Sequence, residues 1–361
     1  MLRSMLILVW GDASRDRRSQ NFARYFSNEG WSVEVIAIRP NIPRGPRMFM
    51  EFRRRMKNAV RDKRADVVLA SDLFSLSAAA WMKRAGRAKI LLYDARELYT
   101  ELPAVARKPI AKFVWRTQEQ RGMIGVNLVI VTAPNDADAI LKVHNFLPRP
   151  VLVRNLPWCE PELSPDRTLL DRFDIPRDVK VVVYLGGLQP GRGLERLMEA
   201  FIGLPYHLLL IGDGLLRSQL QARASNNVHF AGAMKSDEAL RIVASCDVGI
   251  SLVEAVSASY ALALPSKHFE YMMCAVPIVS SSISQVLDLF RNEEWVTFVD
   301  EKDANSISEG IQKAITISER TDLREREKYL ALSEYHFEHD VVRLSAILKI
   351  FRSEQWSISI S

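Results

Sequence analysis

Three short stretches in the second half of the chain combine glycines, cations and a carboxylate in a way that suits a phosphate-bearing ligand. The first is Tyr184-Leu185-Gly186-Gly187-Leu188-Gln189-Pro190-Gly191-Arg192-Gly193-Leu194. An apolar run passes into a glycine-rich loop, and the loop opens a helical pattern. Glycines let the backbone approach a ligand closely, and the free N–H groups and dipole of a helix start favour an anion. Arg192 would add a forked, permanently charged donor for phosphate. A tight turn with a surface arginine would carry the same residues. The second stretch is Leu210-Ile211-Gly212-Asp213-Gly214, a turn directly after an apolar run. Asp-Gly turns are common, so this one says little by itself. The third is Pro265-Ser266-Lys267-His268-Phe269-Glu270-Tyr271-Met272, followed by Cys274-Ala275-Val276-Pro277-Ile278-Val279. A proline and a small polar residue start a helix whose first turn holds Lys267. A cation there opposes the helix dipole, which points to an anionic ligand nearby. Glu270, one turn on, is placed to accept two ribose hydroxyls, as acidic residues do in nucleotide sites. A capping carboxylate on a surface helix is the plainer alternative.

These residues need elements that bring strand ends together. In the first half, apolar β-branched runs at Met5–Trp10, Val33–Arg39, Val67–Ala70, Ile90–Asp94, Asn127–Thr132 and Val151–Val153 alternate with helix-length stretches such as Ser19–Glu29 and Phe74–Ala85. The same rhythm returns at Lys180–Leu185, His207–Ile211, Val228–Ala231, Val248–Val253, Val276–Ser280 and Val296–Val299. Short continuous apolar runs separated by helices predict parallel sheets covered on both faces. Ligands of such sheets bind beyond the carboxyl ends of the strands, where the three stretches lie. Between the two series, Pro157, Pro161, Pro165 and Pro176 break the rhythm and predict an extended connector. The expected division is a first Rossmann-like domain over 1–155, a linker over 156–178, a second domain over 179–335, and a closing helix and tail over 336–361. Val341, Leu344, Leu348 and Phe351 form the apolar stripe of that helix, expected from Asp340 to Phe351, with Trp356–Ser361 as a loose tail.

Together with Val228-His229-Phe230-Ala231-Gly232, the three stretches resemble family 4 of the GT-B glycosyltransferases, and the resemblance extends over most of the chain. It implies an α/β fold of two doubly wound Rossmann-like domains facing each other, with the C-terminal helix crossing back to the first. It further implies a retaining, metal-independent transferase that moves a sugar from a nucleotide diphosphate sugar to a glycan or lipid-linked acceptor, as in cell-surface polysaccharide or glycolipid synthesis. Arg192 and Lys267 would face the diphosphate and Glu270 the ribose. Gly186, Gly187, Gly212 and Asp213 would line the donor, as would the backbone from Ala263 through Leu264 and Pro265 to Ser266. In the first half, Asp16-Arg17-Arg18-Ser19 looks like the family's opening loop and Tyr93-Asp94-Ala95-Arg96-Glu97-Leu98 like its acidic strand end. Val153-Arg154-Asn155-Leu156-Pro157 resembles the exit into the linker. Arg17, Asp94, Arg96 and Glu97 are therefore expected on the acceptor side.

Two positions depart from the family pattern. Leu262 stands eight residues before Glu270, where a first glutamate is common, and Arg96 stands where histidine is frequent. Arginine cannot act as a base near neutral pH, though it can neutralise phosphate or an acidic acceptor. A catalytically inactive relative that binds donor or membrane, and a sugar-nucleotide epimerase, are the competing readings. No cofactor or metal is expected. Asp136-Ala137-Asp138 has the pattern of a metal motif but opens a helix, so it reads as a capping pair.

Composition bounds the setting. The three cysteines, Cys159, Cys246 and Cys274, fit neither a zinc site nor a disulfide framework, and a reducing, cytoplasmic compartment follows. No apolar run reaches the length of a membrane span, and Met1 to Trp10 reads as a core strand, not a signal peptide. The net charge of +6 divides into +14 up to Asn155 and −8 after it. The stretch from Arg44 to Arg64 contains Arg47, Arg53, Arg54, Arg55, Lys57, Arg61 and Lys63, interleaved with Met48, Phe49, Met50, Phe52 and Met56. A solvated basic helix and a contact with the anionic inner face of a membrane both suit it. The chain has no recognised nucleic-acid module.

Overall fold

The computed structural model describes residues 3–39, 46–144 and 149–351. The chain forms two compact units, one of 1–155 with 337–361 and the other of 156–336. In the first, the strands β1 (Ser4–Trp10), β2 (Ser32–Ile38), β3 (Ala65–Ala70), β4 (Ala88–Ala95), β5 (Leu128–Val131) and β6 (Val151–Leu152) form one sheet in the order β2-β1-β3-β4-β5-β6. All its ladders are parallel. Its helices are α1 (Arg17–Asn28), α2 (Pro46–Ala59), α3 (Leu73–Arg84), α4 (Pro103–Ala106), α5 (Pro109–Met123) and α6 (Pro134–Val143). Leu6, Leu8, Val68, Leu91, Tyr93 and Val129 belong to the core beneath α2 and α3. Such runs are apolar on both faces because helices cover both sides of the sheet.

The second unit repeats the plan. Strands β7 (Val181–Leu185), β8 (His207–Ile211), β9 (Val228–Gly232), β10 (Val248–Ser251), β11 (Ile278–Ser281) and β12 (Val296–Val299) lie in the order β12-β11-β10-β7-β8-β9, again parallel. Around them stand α7 (Leu194–Ala200), α8 (Arg217–Gln221), α9 (Ser236–Ala244), α10 (Ala258–Ala261), α11 (Ser266–Met273), α12 (Ser284–Phe290), α13 (Ala304–Ser318) and α14 (Thr321–Ser333). Both sheets reverse direction at their first strand, β1 and β7, which defines the switch point of a doubly wound fold.

The proline-rich stretch 156–178 is not a free connector. It belongs to the second unit, with Leu156, Leu170 and Ile175 buried and a short 3-10 helix over Arg167–Phe173. Arg167 Nη1 donates to Asp247 Oδ2 at 2.9 Å. Pro and charge counts do not reveal these three buried aliphatic residues. The last helix, α15 (Phe337–Ile350), starts three residues earlier than expected and is part of the first unit. Phe337 meets the ring of Phe22 edge-on at 5.0 Å, and Arg154 grips Asp340 at 2.6 and 2.8 Å. Burial alone would raise the Asp340 carboxyl, but Arg154 outweighs it and holds the group below the usual range. Removing one partner of such a buried pair costs about 3–5 kcal/mol.

The basic stretch also differs from expectation. Phe52 and Met56 are fully buried, and Phe49 stacks on Trp10 and Phe74. The aromatic residues of α2 therefore pack inward, and Arg47, Met50, Arg53, Arg54 and Lys57 are among those that face outward. Arg44 and the tail Trp356–Ser361 lie outside the described residues. Among the described residues no helix is long and apolar enough to cross a membrane.

On α14, Glu327 is fully buried and neither carboxylate oxygen has a hydrogen-bond partner. Burial raises its pKa well above 4.5, only partly opposed by Arg324. A carboxyl raised in the folded state contributes stability that is fully present below its unfolded pKa and lost as pH rises through the folded one. The urea midpoint of the protein is therefore expected to fall as pH rises above about 4.5, with a slope of at most about 1.4 kcal/mol per pH unit from this group. Glu327→Gln should flatten that profile between pH 5 and 9. Parallel profiles for the two proteins would exclude this role.

Candidate active site

The site residues of the second unit stand at the carboxyl ends of β7, β8 and β10 and at the start of α11. The loops after β7 and β8 are stitched together: Gly186 N donates to Ile211 O at 2.8 Å, Leu188 N to Asp213 O at 3.0 Å and Leu216 N to Leu188 O at 3.0 Å. A Cβ on Gly212 would lie 1.9 Å from Gly186 O, and the residue holds φ +144°. Gly212 is thus demanded by the approach of one loop to the other and not first by a ligand. At Gly186, φ +140°, a Cβ would lie 2.8 Å from Lys267 Cε, so this glycine leaves the path for the lysine stem. Gly187 is exposed, and a Cβ there would meet only ordinary contacts. Asp213 is exposed and accepts from Gly214 N at 2.8 Å.

Lys267 is buried in the first turn of α11. Its Nζ lies 4.3 Å over the ring of Tyr184 and donates to the Tyr184 hydroxyl at 3.2 Å. Burial, then the nearby Arg192, push its pKa well below the usual lysine value. Arg192 is half-buried, with its guanidinium 4.6 Å over the ring of Tyr260 on α10. Among the described residues no carboxylate pairs with either cation. Two cations that repel each other in a partly desolvated place lack the counter-charge that burial ordinarily requires. Lys267 stands in the first turn of α11, whose N-cap is Pro265 and which no side chain caps, so that turn has amides without a side-chain acceptor. Leu264, Pro265 and Ser266 are half-buried just before and at this start, and Glu270 is buried one turn further on.

At the start of α7 the N-cap amide meets a carboxylate of the chain itself. Glu254, after β10, accepts from Gly193 N through Oε1 at 3.1 Å, and its own N donates to Gly191 O at 3.1 Å. Glu254 thus clasps the loop that carries Arg192. Beneath α11, the Tyr271 hydroxyl accepts from Leu185 N and donates to Ile250 O, both at 3.0 Å. His268 bridges Ser251 and Ser280 at 3.3 and 2.9 Å, and burial pushes its pKa down to about 3, so it stays neutral. Leu262 caps the end of α10, and its carbonyl accepts from the buried Gln285.

Tyr184, Glu254 and Tyr260 were not singled out from sequence. Tyr184 sits inside the first quoted stretch but reads as strand. Glu254 and Tyr260 follow β10 without any motif, and only tertiary packing brings Tyr260 under Arg192 and Glu254 against the loop that carries it.

In the first unit, two of the four expected acceptor-side residues, Asp94 and Arg96, belong to an internal ion network. Arg18 takes Asp94 in a fork at 2.7 and 2.8 Å, and Arg96 donates to Asp94 at 2.8 Å, to Asp16 at 2.8 Å and to Ser19 Oγ at 2.7 Å. Burial pushes the Asp94 carboxyl up, but Arg18 and Arg96 more than offset this and keep it ionised. Asp94 is fully buried and the charge of Arg96 is neutralised by Asp94 and Asp16, so neither presents a free charge to an acceptor. Arg17 opens α1, half-buried, and Glu97 is exposed after β4. The Asp136–Asp138 pair divides. Ala133 is the N-cap of α6; Asp136 is buried in the first turn, accepts from Thr132 Oγ1 at 3.1 Å and is raised by burial to about 7, while Asp138 pairs with Arg149 at 3.6 Å.

Residues 166–331 match the family described as glycosyl transferases group 1. Among solved structures, sucrose-phosphate synthase from Thermosynechococcus elongatus is similar with a TM-score of 0.73 at 18% identity, covering 97% of this chain and 99% of that one. HepE from Anabaena, solved in complex with UDP, has a TM-score of 0.68 at 14% identity, covering 96% and 100%. WaaG, a glycosyltransferase involved in lipopolysaccharide biosynthesis, has a TM-score of 0.64 at 14% identity, covering 95% and 98%. No curated protein matches the chain significantly. Residues 166–331 thus match the group 1 glycosyl transferase family, and the chain as a whole has the fold of the GT-B glycosyltransferase structures.

Proposed function

We propose that the protein moves a sugar from a nucleotide diphosphate sugar to a glycan or lipid-linked acceptor, with retention at the anomeric carbon and without a metal ion. The observation that carries this reading is the pair of cations without carboxylate partners, Arg192 and Lys267, beside the uncapped start of α11. In the reaction the bond from the anomeric carbon to the diphosphate oxygen breaks, and the acceptor hydroxyl oxygen bonds to the same face. The hydroxyl proton leaves with the diphosphate. Charge develops on the leaving group, and donors already fixed in place stabilise it most. Arg192, Lys267 and the α11 amides supply that field, while Glu270 orients the ribose. HepE was solved with UDP and UDP-glucose, which favours uridine donors as the first to try. WaaG's part in lipopolysaccharide biosynthesis and the basic first half of the chain favour work at the inner face of a membrane.

Purified protein with UDP-, GDP- and ADP-sugars is expected to release free nucleoside diphosphate slowly with one of them, and faster with acceptor. Leu262, in place of a common glutamate, makes the contrary outcome informative. Tight donor binding without turnover in any combination would leave a binding protein and not a transferase.

A further inference from the structure

The first unit presents an apolar helix face that none of the described residues covers. On α5, Trp115 turns inward, where its ring meets Phe49 and Phe74 at 5.8 and 5.3 Å, and Gly122 packs so closely on α3 that a Cβ would lie 2.6 Å from Leu76 Cδ2. The opposite side carries Ile110, Phe113 and Val114, which are 82, 71 and 52% exposed. Three large apolar side chains at i, i+3 and i+4 form one contiguous stripe. Monomeric proteins rarely leave such a stripe in water without use.

The surroundings of the stripe identify its occupant. Around it stand Arg107, Lys108 and Arg116, with Lys112 paired to Glu101 at 2.6 Å, and between Pro103 and Gln118 there is no acidic residue. The Phe49–Trp115 contact makes α2 the neighbour of α5, and α2 adds exposed Arg47, Arg53, Arg54 and Lys57. Met50, next to Phe49, is also exposed. A protein partner would need a surface both apolar and densely acidic. A bilayer with anionic headgroups offers both, with the apolar side chains entering the acyl boundary and the cations at the headgroups.

We infer that Ile110, Phe113 and Val114 of α5 insert into an anionic lipid surface, with the basic residues of the α4–α5 connection and of α2 around them. The inference rests on the membrane part of the function proposed above and not on its chemistry. It also moves the inserted residues from α2, whose aromatic side chains are core, to α5.

The test is co-sedimentation with vesicles of phosphatidylcholine alone and of phosphatidylcholine with phosphatidylglycerol at about 7:3. The wild-type protein is expected to bind only the anionic vesicles, and less at high salt. The double variant Ile110→Ser/Phe113→Ser should lose at least about tenfold in partition, since each side chain forfeits its apolar burial. Both positions are exposed, and an unchanged near-ultraviolet circular dichroism spectrum would establish that the variant is folded. If the double variant binds like wild type while Arg53→Glu/Arg54→Glu does not, contact is electrostatic through α2; the α5 inference fails and the membrane reading stands. If wild type binds no vesicle, both fail. A wild-type dimer in sedimentation velocity that the double variant dissolves, without vesicle binding, would assign the stripe to a second copy instead.

Discussion

Arg192→Ala is expected to weaken binding of a nucleoside diphosphate about 10- to 100-fold, the range of one or two charge-assisted hydrogen bonds. Among the described residues Arg192 has no carboxylate to lose, so little of the effect should appear as instability; its visible partner is the Tyr260 ring at 4.6 Å. Tyr260→Leu removes that platform but leaves the charge, and should weaken binding by a smaller factor, on the order of the 0.5–2 kcal/mol of a cation–π contact. Glu254→Gln should act in the same direction through the loop it clasps, since a neutral oxygen still accepts from Gly193 N but more weakly. Isothermal titration with UDP, GDP and ADP measures all three variants. Unchanged affinity in Arg192→Ala, with the wild type binding, would remove Arg192 from the phosphate site.

The second large effect concerns Lys267 and pH. In the free protein, burial and then Arg192 hold its pKa well below 10.5. A bound diphosphate favours the charged form and raises that pKa. Binding must then take up a proton between the two values. Affinity is highest below the free-protein pKa and falls as pH rises above it, by at most about tenfold per pH unit. The profile should be measured above about pH 7.5, where the diphosphate itself is fully ionised. Titration in two buffers of different ionisation enthalpy reads the proton uptake directly. Lys267→Met keeps the length of the stem beside Gly186 and removes the charge. It should bind about 100-fold more weakly and without proton uptake, as expected for the loss of a buried charge–charge contact. Proton uptake that persists in Lys267→Met would place the linked group elsewhere.

The two sheets were legible because each strand is a short apolar run, such as Val181-Val182-Val183-Tyr184-Leu185, that no amphipathic helix would tolerate. Where composition stood in for packing, expectation went astray. Four prolines made 156–178 look extended, yet Leu156, Leu170 and Ile175 bury it in the second unit. The basic residues of α2 drew attention to Phe49 and Phe52, which face the sheet, while the exposed stripe on α5 carried too few charges to be noticed.

Local order along the chain determines which residues stand at strand ends, because a βα unit places the residue after each strand at the same edge of the sheet. That is why Gly186, Arg192 and Gly212 could be named from the sequence, whereas Lys267 and Glu270 were named from the helix start that holds them. Which polar group each of them meets is a different matter, since those partners are remote in the chain and brought near only by packing. Tertiary structure alone decides that Glu254 takes the amide of Gly193, and that Asp94 and Asp16 absorb Arg96. It also leaves Arg192 and Lys267 together without a carboxylate partner. Electrostatic character depends on distance and burial, and neither is written in the order of residues.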